Sequence, residues 1–200
     1  MNAPKRAELV ATAQKMFARE GFKGVSIDRL LKEAGVAKMT LYKGFRTKDE
    51  LILETLRQRD RTLRNWFMRE VESRSTDPRD RLLTCFDVLA DWTAKPDFNG
   101  CYFISALNEY AEDSHPAHRA AKEHKRMMLD YLVKLCTDAH LSDPEEIARD
   151  LRLLMEGASA SKLTLNQGDS FKRAKEMARF RLERAIPQTG GLAAKIPKRE

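Results

Sequence analysis

An all-α fold is predicted for this chain: an N-terminal three-helix unit holding a helix-turn-helix, followed by a larger helical body, about nine helices together. Three observations predict it. Apolar residues recur at helical spacing in segment after segment. The breaks between segments are Gly, Pro and Ser-Asp clusters, with no hairpin signal and no internal repeat. Residues 21–48, GFKGVSIDRLLKEAGVAKMTLYKGFRTK, carry two short helical patterns joined by a glycine, with basic and hydroxyl side chains concentrated on the second.

Leu9, Ala13, Met16 and Phe17 sit at i, i+4, i+7 and i+8, which predicts an amphipathic first helix. Ser26 precedes Ile27-Asp28-Arg29-Leu30-Leu31, where its hydroxyl can accept the free amides of a helix start, and Asp28 suits the positive end of the helix dipole. Gly35 closes that second helix, because a left-handed residue commonly ends one. Val36, Leu41 and Phe45 resume the apolar pattern and leave Lys38, Met39, Thr40, Tyr42 and Lys43 to project from a third helix. Phe22, Val25, Ile27, Leu30 and Tyr42 are expected to complete a small three-helix core. In helix-turn-helix geometry the last helix enters the major groove of duplex DNA by its N-terminal residues.

Thr47, with Glu50 three residues on, predicts a capping box for a fourth helix whose stripe is Ile52, Leu56, Leu63 and Phe67, ending near Ser73. Asp77-Pro78 opens the next, to Thr93, and Lys95–Gly100 breaks the chain before CYFISALNEY. Ser114 and Pro116 open a long helix to about Asp138. Ser142-Asp143-Pro144 opens another through Gly157, and the last runs from Phe171 to Ala185. The end, PQTGGLAAKIPKRE, has the composition of a disordered tail. The expected division is a reading head over 1–48, a helical body over 49–186 and a tail over 187–200.

Charge follows the same division. The chain has 200 residues and a formal net charge of +7, and residues 1–50 carry 11 bases against 6 acids, five of those seven net charges. The positive field therefore lies where the proposed head is, as nucleic-acid recognition requires. No apolar run approaches the ~20 residues of a membrane span, and MNAPKRAEL lacks a hydrophobic signal core, so a cytoplasmic protein without membrane contact is expected.

Residues 5–56 resemble the N-terminal domain of the tetracycline-repressor (TetR) family of transcriptional regulators: FAREGF at the end of the first helix, then GVSIDRLLKEAGV, MTLYKGF and TKDEL. The resemblance implies that Ser26 and Lys48 hold phosphates at two helix starts, that Tyr42 reaches the backbone, and that Lys38 to Lys43 face the groove. Two positions depart from the family pattern. Gly44 stands where a His or Tyr is usual, and Ala37 where a Ser usually caps the recognition helix; Lys43 and Arg46 can compensate with charge. The resemblance further implies a homodimer on a palindromic operator, a repressor role, and release by a small-molecule or electrophile effector. The competing reading is a helical ligand-binding or scaffolding protein without sequence-specific DNA binding.

The dimer seam is expected on the last two long helices, at Leu153, Leu154, Gly157, Ala158, Ala160, Ser161, Met177 and Phe180, where small residues permit close approach. Effector candidates are the large side chains of the body: Trp66, Phe67, Phe86, Trp92, Phe98, Tyr102, Phe103, Tyr110, Met127, Met128 and Tyr131. Cys85, Cys101 and Cys136 are odd in number and lack a CxxC pair, which argues against a disulfide or a zinc site. Cys101 is set apart because Asn99-Gly100 puts it at a helix start, the position of an accessible, reactive thiol. His115 and His118 straddle a helix start and His124 has ordinary surface neighbours, so neither a metal nor a cofactor is expected. Nucleophile elbows, phosphate-cradling glycine loops and HExxH signatures are absent, and no enzymatic activity is expected.

Overall fold

The computed structural model describes residues 3–165 and 168–185, and every regular element among them is a helix. In order these are α1 (Ala3–Glu20), α2 (Ile27–Glu33), α3 (Lys38–Tyr42), α4 (Lys48–Arg74), α5 (Pro78–Thr93), α6 (Tyr102–Glu109), α7 (Pro116–Asp138), α8 (Pro144–Leu165) and α9 (Ser170–Glu183). The stretch expected to form a tail, 187–200, lies outside the described residues. Among the described residues no helix is long and apolar enough to cross a membrane.

Local chemistry sets the boundaries. Ser26 Oγ accepts from Arg29 N at 3.3 Å and starts α2. Gly35, at φ +60°, turns the chain between α2 and α3, and Val36 N donates back to Leu31 O at 3.0 Å. Asp77 accepts from Arg79 N and Asp80 N, with Pro78 at the first helical position. Two starts differ from expectation. Thr47 Oγ1 accepts from Glu50 N at 3.1 Å, but the Glu50 carboxylate accepts from Arg46 N at 2.7 Å, one residue earlier than a capping box requires. At α7 the cap is His115, not Ser114: its Nδ1 accepts from Ala117 N at 3.2 Å, because Pro116 takes the first helical position and leaves the residue just before it to cap.

Two cores form, and their border does not follow the chain. One joins α1–α3 and the first half of α4 (Leu51, Ile52, Leu56) to Tyr102, Phe103 and Ala106 of α6 and Ala117 and Ala121 of α7. The other gathers Phe67 and Val71 of α4 with α5, the later part of α7, α8 and α9. Within the first, Leu9, Ala13, Phe17, Phe22, Val25 and Leu30 are buried as expected. Tyr42 is not part of it. The turn at Gly35 aims α3 so that Leu41 is buried while Tyr42 stands 46% exposed.

Candidate functional site

The first candidate site is the outer face of α3. This helix has only five residues, and Leu41 and the following Phe45 pin it to the core while Lys38, Met39 and Lys43 point outward. Met39 is 72% exposed, an unusual state for a large apolar side chain and one suited to contact with base edges or methyl groups. Ala37 sits at the helix start without a side-chain hydrogen bond, as its methyl group requires. Thr40 is half-buried, and Lys43 and Arg46 are exposed. Lys38 Nζ lies 3.4 Å from Asp28 Oδ1, both side chains open to solvent, a pair easily exchanged for a phosphate. Ser26 is exposed at the start of α2. Lys48, at the start of α4, is half-buried with Nζ 6.0 Å from the ring centre of Phe17, and that burial lowers its pKa.

The second is a cavity of about 340 Å³ inside the body, walled by α4, α5, α6, α7 and α8. Leu63, Phe67, Leu89, Met128, Leu132 and Met155 make its apolar wall, and Trp92 and Phe98, ring centres 5.0 Å apart, stand at one end. Of the residues expected to meet an effector, Phe67, Trp92, Phe98, Cys101 and Met128 border this space. The others do not. Phe86 and Phe103 are fully buried core, and Tyr131 is buried with its edge on Phe67. Trp66 packs beside the second core under Lys95. Tyr102 and Tyr110 turn toward the head, and Met127 lines a separate open groove between α4 and α7.

The reason is the phase of α6. Cys101, Ile104, Ser105 and Asn108, at i, i+3, i+4 and i+7, form the stripe that faces the cavity. Tyr102, Phe103 and Ala106 form the opposite stripe, buried with the head. Ring size pointed to the aromatics; helical phase, legible in the same eight residues, points to their smaller neighbours. From that opposite stripe Tyr102 OH donates to Thr55 Oγ1 of α4 at 3.0 Å, and its ring lies 4.8 Å from that of Phe22. At the far end of α6 the Glu109 carboxylate accepts from Phe22 N at 2.9 Å and Lys23 N at 2.6 Å. Both amides belong to the turn after α1, where Gly21 takes φ +78° and a Cβ would come within 2.8 Å of Glu109 Oε1. One short helix thus touches the cavity on one side and grips the head on the other. No sequence pattern announces Glu109, because its partners are backbone amides more than 80 residues away.

Cys85 and Cys136 are buried, and burial raises both thiols, Cys136 to about 12. Cys101 is half-buried on the cavity wall. Among the described residues no group of three or more His, Cys, Asp and Glu side chains is placed to hold a metal. The histidines serve other contacts: His115 caps α7, His118 Nδ1 lies 2.7 Å from Tyr110 O, and His124 is 2.8 Å from Asp60. His124 corrects the sequence expectation, since it is 5% exposed rather than a surface group.

The third candidate is the outer face of α8 and α9. Leu153, Met177 and Phe180 are 72%, 60% and 67% exposed, with Leu165 also uncovered; Leu163 is uncovered on the cavity side. Gly157 is exposed beside them, Leu154 and Ser161 half-buried, whereas Ala160 departs from the expected seam, exposed but bordering the cavity. Ala158 departs from the expected seam: at 5% exposed it packs into the second core between α8 and α9. Among the described residues the large uncovered apolar groups lie on α8, α9 and α3, apart from Ile104 of α6, and apolar surface left open in this way suits contact with another molecule.

Comparison with known proteins agrees with this geometry. The model of the tetR family of bacterial regulatory proteins matches residues 9–55. The crystal structure of a TetR-family transcriptional regulator from Streptomyces coelicolor is 31% identical, covers 90% of this chain and 95% of its own, and superposes with a TM-score of 0.83. The HTH-type transcriptional regulator YjdC of Escherichia coli is 21% identical over 166 residues, 83% of this chain and 86% of its own. The reduced form of E. coli NemR, 20% identical over 88% of this chain and 96% of its own, shares the fold with a TM-score of 0.80.

Proposed function

Since this chain belongs to the TetR family of bacterial regulatory proteins, and so is a ligand-responsive DNA-binding transcriptional regulator, we propose that it is a cytoplasmic repressor, without enzymatic activity, that binds a palindromic operator as a homodimer. Residues 1–48 form the reading head and 49–186 the effector-binding and dimerisation body. Lys38, Met39 and Thr40 of α3, with Lys43 just after it, read base edges; Ser26, Tyr42, Arg46 and Lys48 hold the backbone. The exposed apolar face of α8 and α9 pairs with that of a second subunit, which sets two heads about 34–36 Å apart on successive major grooves. An effector enters the cavity and releases the DNA.

The observation that carries this reading is the two-sided placement of α6. Cys101, Ile104, Ser105 and Asn108 face the cavity, while Tyr102 and Glu109 hold α4 and the turn after α1. A ligand that moves α6 by a fraction of an ångström must also move or release the head, because both amides of Phe22 and Lys23 depend on one carboxylate. Ligand and DNA then compete through a conformational difference rather than a shared surface.

Selection of genomic fragments by the purified protein, followed by sequencing, tests the reading. One palindromic sequence is expected to be recovered, and Thr40→Ala is expected to shift the preferred bases, at a cost of about 1–3 kcal/mol at the contacted position. Lys48→Ala should instead weaken all duplexes alike and reduce the salt dependence by about one ion per head. Recovery of no common sequence would remove the operator from the account.

A further inference from the structure

The His124 ring is held more firmly than a wall residue needs to be. It is 5% exposed and stacked face to face on Phe103, ring centres 3.5 Å apart and planes 10° from parallel. Its Nδ1 lies 2.8 Å from Asp60 Oδ1. Asp60 is itself fixed by Arg64, whose Nε and Nη2 donate at 3.2 and 3.0 Å. Burial raises the pKa of Asp60, but the hydrogen bonds from Arg64 and His124 outweigh it and hold the carboxyl below its ordinary value. Asp60 is therefore a carboxylate at neutral pH, able only to accept, so the hydrogen of the imidazole sits on Nδ1.

The other nitrogen follows by elimination. Burial lowers the pKa of His124 below its ordinary 6.5, despite the neighbouring carboxylate, so the ring is neutral at pH 7 and Nε2 carries a bare lone pair. Among the described residues no protein donor reaches that atom, yet it is not one of the enclosed unpartnered atoms, which are Arg59 Nε, Tyr131 Oη and Ser170 Oγ. His124 borders the cavity, and the cavity is what opens onto it. Elsewhere on the wall the charges of Lys125 and Glu156 pair at 3.1 Å, while Arg152 adds a cation and Asn108 an amide. The Oγ atoms of Ser159 and Thr164 donate to their own helix. Nε2 is thus a strong acceptor, fixed in direction, in a mainly apolar chamber.

We propose that the effector is an uncharged, mostly apolar molecule carrying a hydroxyl or N–H group that donates a hydrogen bond to His124 Nε2. This rests on the cavity being the effector site. A buried acceptor left unpaired by a ligand without a donor costs affinity, so His124 sorts ligands of equal shape by whether they carry that hydrogen. Because Asp60 stands on α4, the helix that leaves the head, the bond also ties the ligand to the element that must move.

The test uses three probes of nearly one shape: 4-butylphenol, its methyl ether 4-butylanisole, and 4-butylbenzoate, titrated calorimetrically into the full chain. The phenol is expected to bind at least tenfold tighter than the ether. His124→Phe should bring the phenol down to the ether while leaving the ether within twofold, and His124→Gln, whose amide oxygen accepts, should restore part of the preference. Far-UV circular dichroism checks that each variant is folded. Equal binding of phenol and ether, or a preference that survives in His124→Phe, overturns the proposal, as does benzoate binding tightest through Arg152 and weakened by Arg152→Ala. Ser159→Trp, which narrows the chamber, separates the two levels. If it weakens probes that bind equally, the cavity stands and the donor rule falls; if it changes nothing, or no probe binds, both fall.

Discussion

The head and the body solve opposite packing problems. In the head, α1–α3 close a small core around Leu9, Phe17, Phe22 and Leu30, and the residues assigned to DNA stand outside it. In the body, five helices leave about 340 Å³ unfilled at their centre, and the residues assigned to the effector are its walls. A head residue can change with little effect on stability because its work is done on the surface. A cavity residue carries both roles, since wall and core share atoms. The difference teaches where to place substitutions: on the surface of α3 to change recognition alone, and on α6 to change communication.

The largest expected effect lies on the apolar outer face of the body. Phe180→Glu or Gly157→Glu puts a charge where Leu153 and Met177 are uncovered, and Gly157 has open space for a new side chain. Sedimentation should then give the 23.0 kDa chain rather than twice that mass. Operator affinity should fall by about 10²–10⁴, as when a two-headed contact becomes one-headed. A dimer that persists in both variants would move the interface elsewhere.

The contact that joins the two regions comes next. Glu109→Ala removes two charge-assisted hydrogen bonds to Phe22 N and Lys23 N, and thermal unfolding should show a loss of about 1–3 kcal/mol. The recovered DNA sequence should not change, because no base-reading residue is touched. A changed sequence preference with unchanged stability would mean that Glu109 acts on α3 rather than on the turn after α1.

A smaller effect concerns pH. The folded pKa of Asp60 is lowered, so its contribution is present above the ordinary carboxylate range and is lost as pH falls through the lowered value. For His124 the neutral form is favoured in the folded chain, so stability is full above about 6.5 and declines as pH falls toward its lowered value. Both act in one direction. The urea midpoint should drop as pH goes from 7 toward 4, and His124→Phe should flatten the upper part of that fall. A midpoint that rises on acidification would contradict the neutral imidazole.

Legibility in the sequence follows the same contrast. The head could be read almost whole, because Ser26, Gly35 and Thr47 act on neighbours a few residues away and leave local marks. The helices of the body were also legible from Pro78, Pro116 and Pro144 at their starts. The cavity was legible only in part. Trp92, Phe98 and Cys101 border it, while Tyr102, Phe103 and Tyr110 serve the other side of the same helix. Which side a short helix shows to which neighbour depends on packing among five helices, and size alone favours whichever interface is closed. The pairs His124–Asp60 and Glu109–Phe22 are separated by 64 and 87 residues, and nothing local prepares either.

The central claim is that cavity and head communicate through α6, and loading the cavity at a known atom tests it most directly. Cys101 borders the cavity, whereas burial raises the thiols of Cys85 and Cys136 and shields them, so N-phenylmaleimide should label Cys101 first. The measurement is fluorescence anisotropy on the duplex that the wild-type protein selects, before and after labelling is complete by mass spectrometry, beside Cys101→Ser treated identically. At least a tenfold loss of DNA affinity in the labelled wild type, with none in Cys101→Ser, is the predicted result. Unchanged affinity in a protein fully labelled at Cys101 would contradict it.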